Sequence, residues 1–180
     1  MSQPFDAKRL NVQAMAEARQ TLSGSILLQN MKRLAPESIG LKVDTVINWM
    51  LAAELRSGAA GQPVVWLQIQ ADVTLALTCQ RCMAPVDTPV TVDQWYRFVA
   101  SEEVAMAEDD AADEDLLVMT PQFDALEVLE DELLMALPLV PMHEVCPSMP
   151  NFSAGEADIV ALAPEKPNPF AALAELKKAK

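Results

Sequence analysis

Alternation of apolar and polar side chains marks a β-hairpin in the middle of the chain. Apolar residues occupy every second position from Leu67 to Leu77, with mostly polar residues between them. A second alternating run extends from Val90 to Phe98. The two runs predict antiparallel strands, each with one buried and one solvent-facing side, joined by the segment CQRCMAPVD.

Segments before the hairpin are predicted to extend the sheet and to cover it. Residues 6–20 carry an apolar stripe at helical spacing, and Asp6 can cap the resulting helix. Residues 21–28 place apolar side chains after a Ser-Gly-Ser break, which favours a short strand. Residues 41–55 alternate like a strand although their end also suits a helix. We predict a strand there because the hairpin needs neighbours.

A second helix is predicted from Asp124, which can cap it, to Leu137, where Pro138 ends it. The predicted fold class is α+β, with this helix packed against the sheet. We expect an antiparallel β-sheet of four to five strands with packed helices, a flexible acidic loop and a C-terminal tail. Residues 1–150 are predicted to form a single domain, and 151–180 a linker with a short C-terminal helix.

The composition is that of an ordinary globular protein. The 180 residues are 51% hydrophobic and 22% charged, which suits a sizeable buried core. No apolar run approaches the roughly 20 residues that span a bilayer, and MSQPFDAKRL lacks the apolar stretch of a signal peptide. We therefore expect a cytoplasmic protein with no membrane partner.

Charge is segregated along the chain. The net charge is −13, and 13 acidic residues with no Lys or Arg fall between Glu102 and Glu132. The low-complexity part, about 101–116, is predicted to be an acidic mobile insert. It either keeps the protein soluble or matches a basic protein partner, and it repels nucleic acid. Direct RNA contact is expected from the two basic ends of the chain. The individual basic candidates, each also compatible with an ordinary exposed cation, are Arg81, Arg97, Lys32 and Arg33.

The metal-ligating side chains fall into two pairs. Cys79 and Cys82 flank the hairpin turn, and His143 and Cys146 repeat their spacing later in the chain. Two such pairs can close a tetrahedral, structural zinc site. The alternative is a pair of reduced cysteines at a turn and a surface histidine. Redox chemistry is disfavoured, because a thioredoxin-like CxxC begins a helix rather than sitting within a hairpin.

No catalytic constellation is recognisable in the chain. One histidine and five glycines leave neither a nucleophile–base motif nor a glycine-rich phosphate loop. The acidic residues lack the spacing of an EF-hand calcium site. We therefore expect that the protein is not an enzyme.

Three sequence blocks occur in a distinctive order: LTCQRC at 77–82, LEDELLMALPLVPMH at 129–143 and KPNPFAALAELKK at 166–178. Together they resemble the YceD family, the large ribosomal RNA subunit accumulation proteins. The resemblance implies a non-enzymatic, cytoplasmic bacterial factor in ribosome biogenesis that supports synthesis, processing or stability of 23S rRNA. The expected partner is a large-subunit pre-ribosomal particle, reached through a ribosomal protein, a biogenesis factor or 23S rRNA.

Without the resemblance, the residues are also compatible with two other functions. One is a small structural zinc protein that recruits another factor through the hairpin tip, with one zinc on Cys79, Cys82, His143 and Cys146. The other is a CxxC thiol redox protein. At the hairpin tip, Arg81 is the residue predicted to meet a partner.

Overall fold

The computed structural model describes residues 5–40, 44–58 and 61–148. The linker and last helix predicted at 151–180 lie outside these residues. No helix in the described part of the chain is long and apolar enough to cross a membrane. The elements, in chain order, are α1 (Val12–Ala18), β1 (Thr21–Leu27), β2 (Val46–Ser57), β3 (Pro63–Thr78), β4 (Pro85–Val99), α2 (Glu102–Glu108), β5 (Asp115–Val118) and α3 (Ala125–Met135).

The five strands form one sheet in the order β1-β2-β3-β4-β5. Neighbours from β1 to β4 are antiparallel, whereas β5 pairs with β4 in parallel. The predicted α+β fold with four to five strands is confirmed, and the last pairing makes the sheet mixed. Parallel neighbours need a crossover connection, and α2 with the turn that follows it supplies this connection.

One face of the sheet carries the core. Alternate residues of β3 from Val65 to Leu77 are buried, as the period-two pattern predicts. The helices α1 and α3 cover this face, α1 against β2 and β3 and α3 against β3 and β4. They contribute Met15, Leu129 and Leu133, all with no exposed surface. Each such side chain contributes about 1.5–3 kcal/mol through burial.

The first helix begins later than predicted. The pattern predicts a helix over 6–20 capped by Asp6, but Asn11 is the cap and accepts a backbone N–H at 2.9 Å. The reason is a tertiary contact, because Leu10 pairs with Phe123 through two backbone hydrogen bonds of 2.8 and 3.0 Å. This bridge holds the chain extended at Leu10, so the helix starts only after it.

The last helix agrees with its prediction. Asp124 caps it by accepting the N–H groups of Leu126 and Glu127 at 3.0 and 3.1 Å. The helix ends at Met135, shortly before Pro138, whose ring and missing N–H prevent its continuation. Local signals are sufficient to predict this helix, because Asp124 and the N–H groups that it caps lie within one helical turn.

The acidic segment contains regular structure. An acidic mobile insert is predicted at about 101–116, yet α2 lies within it and β5 begins at Asp115. Arg97 of β4 holds the segment, because its guanidinium bonds the carboxylates of Glu108, at 2.6 Å, and of Glu114. The helix and strand were not expected from such a low-complexity run, and the mobility of the segment stays a prediction.

Candidate functional site

The hairpin between β3 and β4 ends in a tight turn that carries Cys79 and Cys82. The Cys79 N–H donates to the Ala84 carbonyl, and the Met83 N–H donates to the Cys79 carbonyl, both at 2.9 Å. Met83 has a φ of +61°, in the left-handed region that non-glycine residues rarely adopt. The turn therefore reverses the chain within a few residues and leaves both thiols in one cluster.

The chain after α3 supplies the second ligand pair. It returns to the hairpin tip, where the Gln80 N–H donates to the Pro141 carbonyl at 2.9 Å. Next to this contact, His143 and Cys146 join the two cysteines of the turn. The four ligand atoms, three sulfurs and one imidazole nitrogen, lie within 4.8 Å of one another. The structure thus brings together the two pairs that the sequence spacing singles out.

Two distances in this cluster match a four-coordinate metal ion. The Sγ atoms of Cys79 and Cys146 are 3.9 Å apart, and Cys82 Sγ lies 3.5 Å from His143 Nδ1. Zinc–sulfur bonds of about 2.3 Å and zinc–nitrogen bonds of about 2.05 Å in a tetrahedron give separations of about 3.8 and about 3.5 Å. All three cysteines are free thiols, and disulfide sulfurs would be only about 2.05 Å apart.

A contact on its far side fixes the orientation of the His143 imidazole. His143 Nε2 lies 3.0 Å from the carbonyl oxygen of Pro85. Because a carbonyl only accepts, Nε2 carries the proton, and the lone pair of Nδ1 faces Cys82. Metal-bound histidines in proteins are commonly held by this kind of second hydrogen bond.

The thiols of Cys79 and Cys146 differ in how readily they ionise. Burial opposes ionisation of Cys79, but N–H groups of Cys82, His143 and Arg81 outweigh it and lower the Cys79 pKa to about 5. Burial and the neighbouring Cys82 and Cys79 thiols raise the pKa of Cys146 to about 11. A metal ion would stabilise all three sulfurs as thiolates.

Two of the four predicted RNA contacts are engaged within the protein. Arg97 bonds two carboxylates of the acidic segment, as described above, and Glu108 and Glu114 raise its pKa. Arg33 bonds Asp131 and, at 3.5 Å, Glu130 of α3. Their charges are therefore largely neutralised before any partner arrives.

The other two predicted RNA contacts are exposed. Arg81 lies at the hairpin tip, with a guanidinium nitrogen 3.9 Å from the sulfur of Met142. Lys32 lies on the loop after β1. The four basic residues are thus distributed over that loop, the hairpin tip and β4. Their role as RNA contacts stays a prediction.

Glu130 of α3 is a structural residue that the sequence pattern missed. It is only 8% exposed, and its Oε1 accepts the N–H groups of Arg33 and Leu34 at 2.6 and 3.0 Å. No local pattern indicates this role, because the partners of Glu130 lie almost a hundred residues earlier in the chain. This contact holds the loop after β1 against α3, the helix that precedes His143 in the chain.

A stacked arginine was also missed. The guanidinium of Arg56 lies between the rings of Trp66 and Trp95, 4.3 and 3.9 Å from their centroids. Glu54 accepts from Arg56 Nε at 2.5 Å. Stacking of this kind contributes about 0.5–2 kcal/mol. No local sequence signal predicts this stack, because the three side chains come together only through the register of three strands.

Fold and cluster together define a class of protein: an α+β domain whose central hairpin carries half of a Cys3His cluster. Residues 67–177 match the family described as YceD, large ribosomal RNA subunit accumulation protein. The chain therefore belongs to the YceD family. A Haemophilus influenzae relative named large ribosomal RNA subunit accumulation protein YceD is 29% identical over 184 residues, which cover 94% of this chain and 95% of the relative. No solved structure matches the chain significantly.

Proposed function

We propose that this protein is a ribosome biogenesis factor that supports synthesis, processing or stability of the 23S rRNA of the large subunit. The observation that supports it is the match of residues 67–177 to a family named for large-subunit rRNA accumulation, together with the relative of the same name. It acts in the cytoplasm and without catalysis. Its partner is a large-subunit pre-ribosomal particle, reached through a ribosomal protein, another biogenesis factor or 23S rRNA.

A deletion strain of the parent bacterium tests this function. We expect a lower ratio of 23S to 16S rRNA, or an excess of 23S precursor ends, and recovery of both when the full chain is expressed from a plasmid. Primer extension and capillary electrophoresis of total RNA measure the two quantities. An unchanged ratio with unchanged precursor ends would refute the proposal.

The proposed mechanism is engagement of a basic protein partner by the acidic segment 102–132. Glu108 and Glu114 are occupied by Arg97, so they contribute little charge to an external partner. Exposed carboxylates nearby are the better candidates for this contact, and they include Asp109, Asp110 and Asp113.

Neutralising these carboxylates tests whether the acidic segment itself, rather than the net negative charge of the protein, binds the partner. We expect Asp109→Asn with Asp110→Asn to reduce co-sedimentation of the protein with large-subunit precursors in a low-salt gradient, since two attractive charges are lost. The matched control is Glu17→Gln with Glu37→Gln, which removes equal charge from exposed positions elsewhere. Equal co-sedimentation of both variants and the wild type would contradict the mechanism.

We also propose that Cys79, Cys82, His143 and Cys146 hold one structural zinc. The ligand separations described above support it, and four protein ligands leave no open position for catalysis. The metal would fasten the loop after α3 to the hairpin tip. In the alternative function, a zinc adaptor, the same tip recruits another factor.

Metal analysis of protein purified under reducing conditions tests the zinc site. We expect one zinc per chain, lost in Cys82→Ser and retained in Gln80→Ser, a substitution in the same turn. Circular dichroism of both variants controls for folding. Protein that contains no metal after growth with zinc, and that instead forms a reversible disulfide, would favour the redox alternative.

A further inference from the structure

Except at its end next to α2, the sheet face opposite the core is not covered by any element in the described part of the chain. In β2, β3 and β4, side chains on this face are exposed or half-buried as far as Arg97, whereas their sequence neighbours on the other face form the core. Side chains in the central part of the open face include Asn48, Met50, Gln68, Asp72, Thr91 and Asp93.

A groove runs across this open face. It has a volume of about 790 Å³ and is lined by residues that include Asp44, Val46, Asn48, Asp72, Pro89 and Thr91. An adjoining depression of about 320 Å³ shares Asn48 and Asp72 and adds Met50 and Gln70. None of the described residues that line either one is Lys or Arg. The groove therefore combines carboxylates with apolar walls.

Two carboxylates of the open face are held in place by amides. Asp72 accepts from the Asn48 side chain at 3.1 Å. Asp93 accepts from Gln68 and Gln70 at 2.6 and 3.0 Å. A carboxylate offers about four acceptor positions, so each retains capacity for a ligand. Because the amides already fix their orientation, little conformational entropy is lost when a partner binds.

The cations of this face are already neutralised. Arg56 is stacked between tryptophans and bonded to Glu54, and Arg97 is bonded to two carboxylates. The acidic helix α2 packs at the border of the face, against β4 and β5. Val46 and Met50 are 42% and 37% exposed and present apolar surface beside Asp72. Such a surface repels phosphate groups and suits side chains with an apolar stem and a positive end.

We infer that the open face of the sheet is a docking surface for a basic polypeptide segment. Lys and Arg side chains of the partner lay their stems on Val46 and Met50 and place their charges at Asp72 and Asp93. The inference deepens the proposed function, since the partner is the basic protein that the acidic segment is proposed to engage. RNA is disfavoured on this face by its charge.

Fluorescence anisotropy on the full chain tests the inference with a labelled peptide, three repeats of Lys-Ala-Arg-Ala. We expect binding that weakens with salt, and weakens about ten-fold when Asp72→Asn and Asp93→Asn are combined. The matched control, Glu17→Gln with Glu127→Gln, should lower affinity less than about two-fold, since α1 and α3, which carry these charges, pack on the core face. Met50→Lys should abolish binding by placing a cation in the centre of the face.

A peptide with acetyl-lysine and citrulline in place of Lys and Arg should not bind, and circular dichroism of each variant verifies folding. Equal weakening by both double variants would overturn the docking surface, as would tighter binding of oligouridylate than of the basic peptide. If the basic peptide does not bind specifically but the deletion strain has a reduced 23S rRNA level, the docking surface alone is rejected. An unchanged rRNA level alongside specific peptide binding rejects the ribosomal function alone.

Discussion

Replacing Glu130 by alanine removes the contact that fastens the loop after β1 to α3. The N–H groups of Arg33 and Leu34, bonded to Glu130 at 2.6 and 3.0 Å, then have no acceptor. An unsatisfied buried donor costs about 1–3 kcal/mol, and the Leu34 donor is buried. The Arg33 ion pair adds little, because the arginine side chain is 45% exposed. We expect the free energy of unfolding to fall by about 2–4 kcal/mol.

Urea unfolding followed by tryptophan fluorescence measures this loss. With a denaturant slope of about 2 kcal/mol per molar, the midpoint should fall by about 1–2 M. Glu130→Gln keeps one carbonyl acceptor and should lose less. Glu127→Ala, on the exposed side of the same helix, should cost less than about 1 kcal/mol. If Glu130→Ala is no more destabilising than Glu127→Ala, the reasoning about buried donors is wrong.

Further predictions concern packing, capping, the acidic segment and the metal. A Cβ at Gly24 would lie 2.5 Å from the Trp49 ring, so Gly24→Ala should cost about 1–3 kcal/mol in urea unfolding; a neutral result would contradict this clash. Asp124→Ala should cost about 0.5–2 kcal/mol and Asp124→Ser much less, because serine also caps. Arg97→Leu should speed hydrogen exchange in α2 but not in α1, and unchanged exchange would mean that Arg97 does not hold the segment. A zinc chelator should lower the thermal midpoint of the wild type but not of His143→Gln.

Features with local causes could be predicted from the sequence. The hairpin follows from strict alternation over Leu67 to Leu77, since the side-chain period of a strand is two. The position of α3 follows from its cap at Asp124 and from Pro138 after its end, both within one turn of the helix. The two ligand pairs were visible because each lies within four consecutive residues, Cys79 to Cys82 and His143 to Cys146.

Features that depend on contacts between distant segments required the tertiary structure. Leu10 delays the first helix because it pairs with Phe123. Arg97 binds the acidic segment beside β5, whose parallel pairing no local pattern indicates. Glu130 looks like a surface residue of an amphipathic helix until the loop after β1 is placed against it.

Sequence by itself determined the central hairpin, the helix after Asp124 and the residue types that can hold a metal, because periodicity, caps and ligand spacing act over a few residues. Only the tertiary structure decided that the two ligand pairs meet within 4.8 Å, and which side of the sheet stays open. The reason is physical: strand register and helix docking follow from the summed burial of the whole core, to which each local segment contributes only a part.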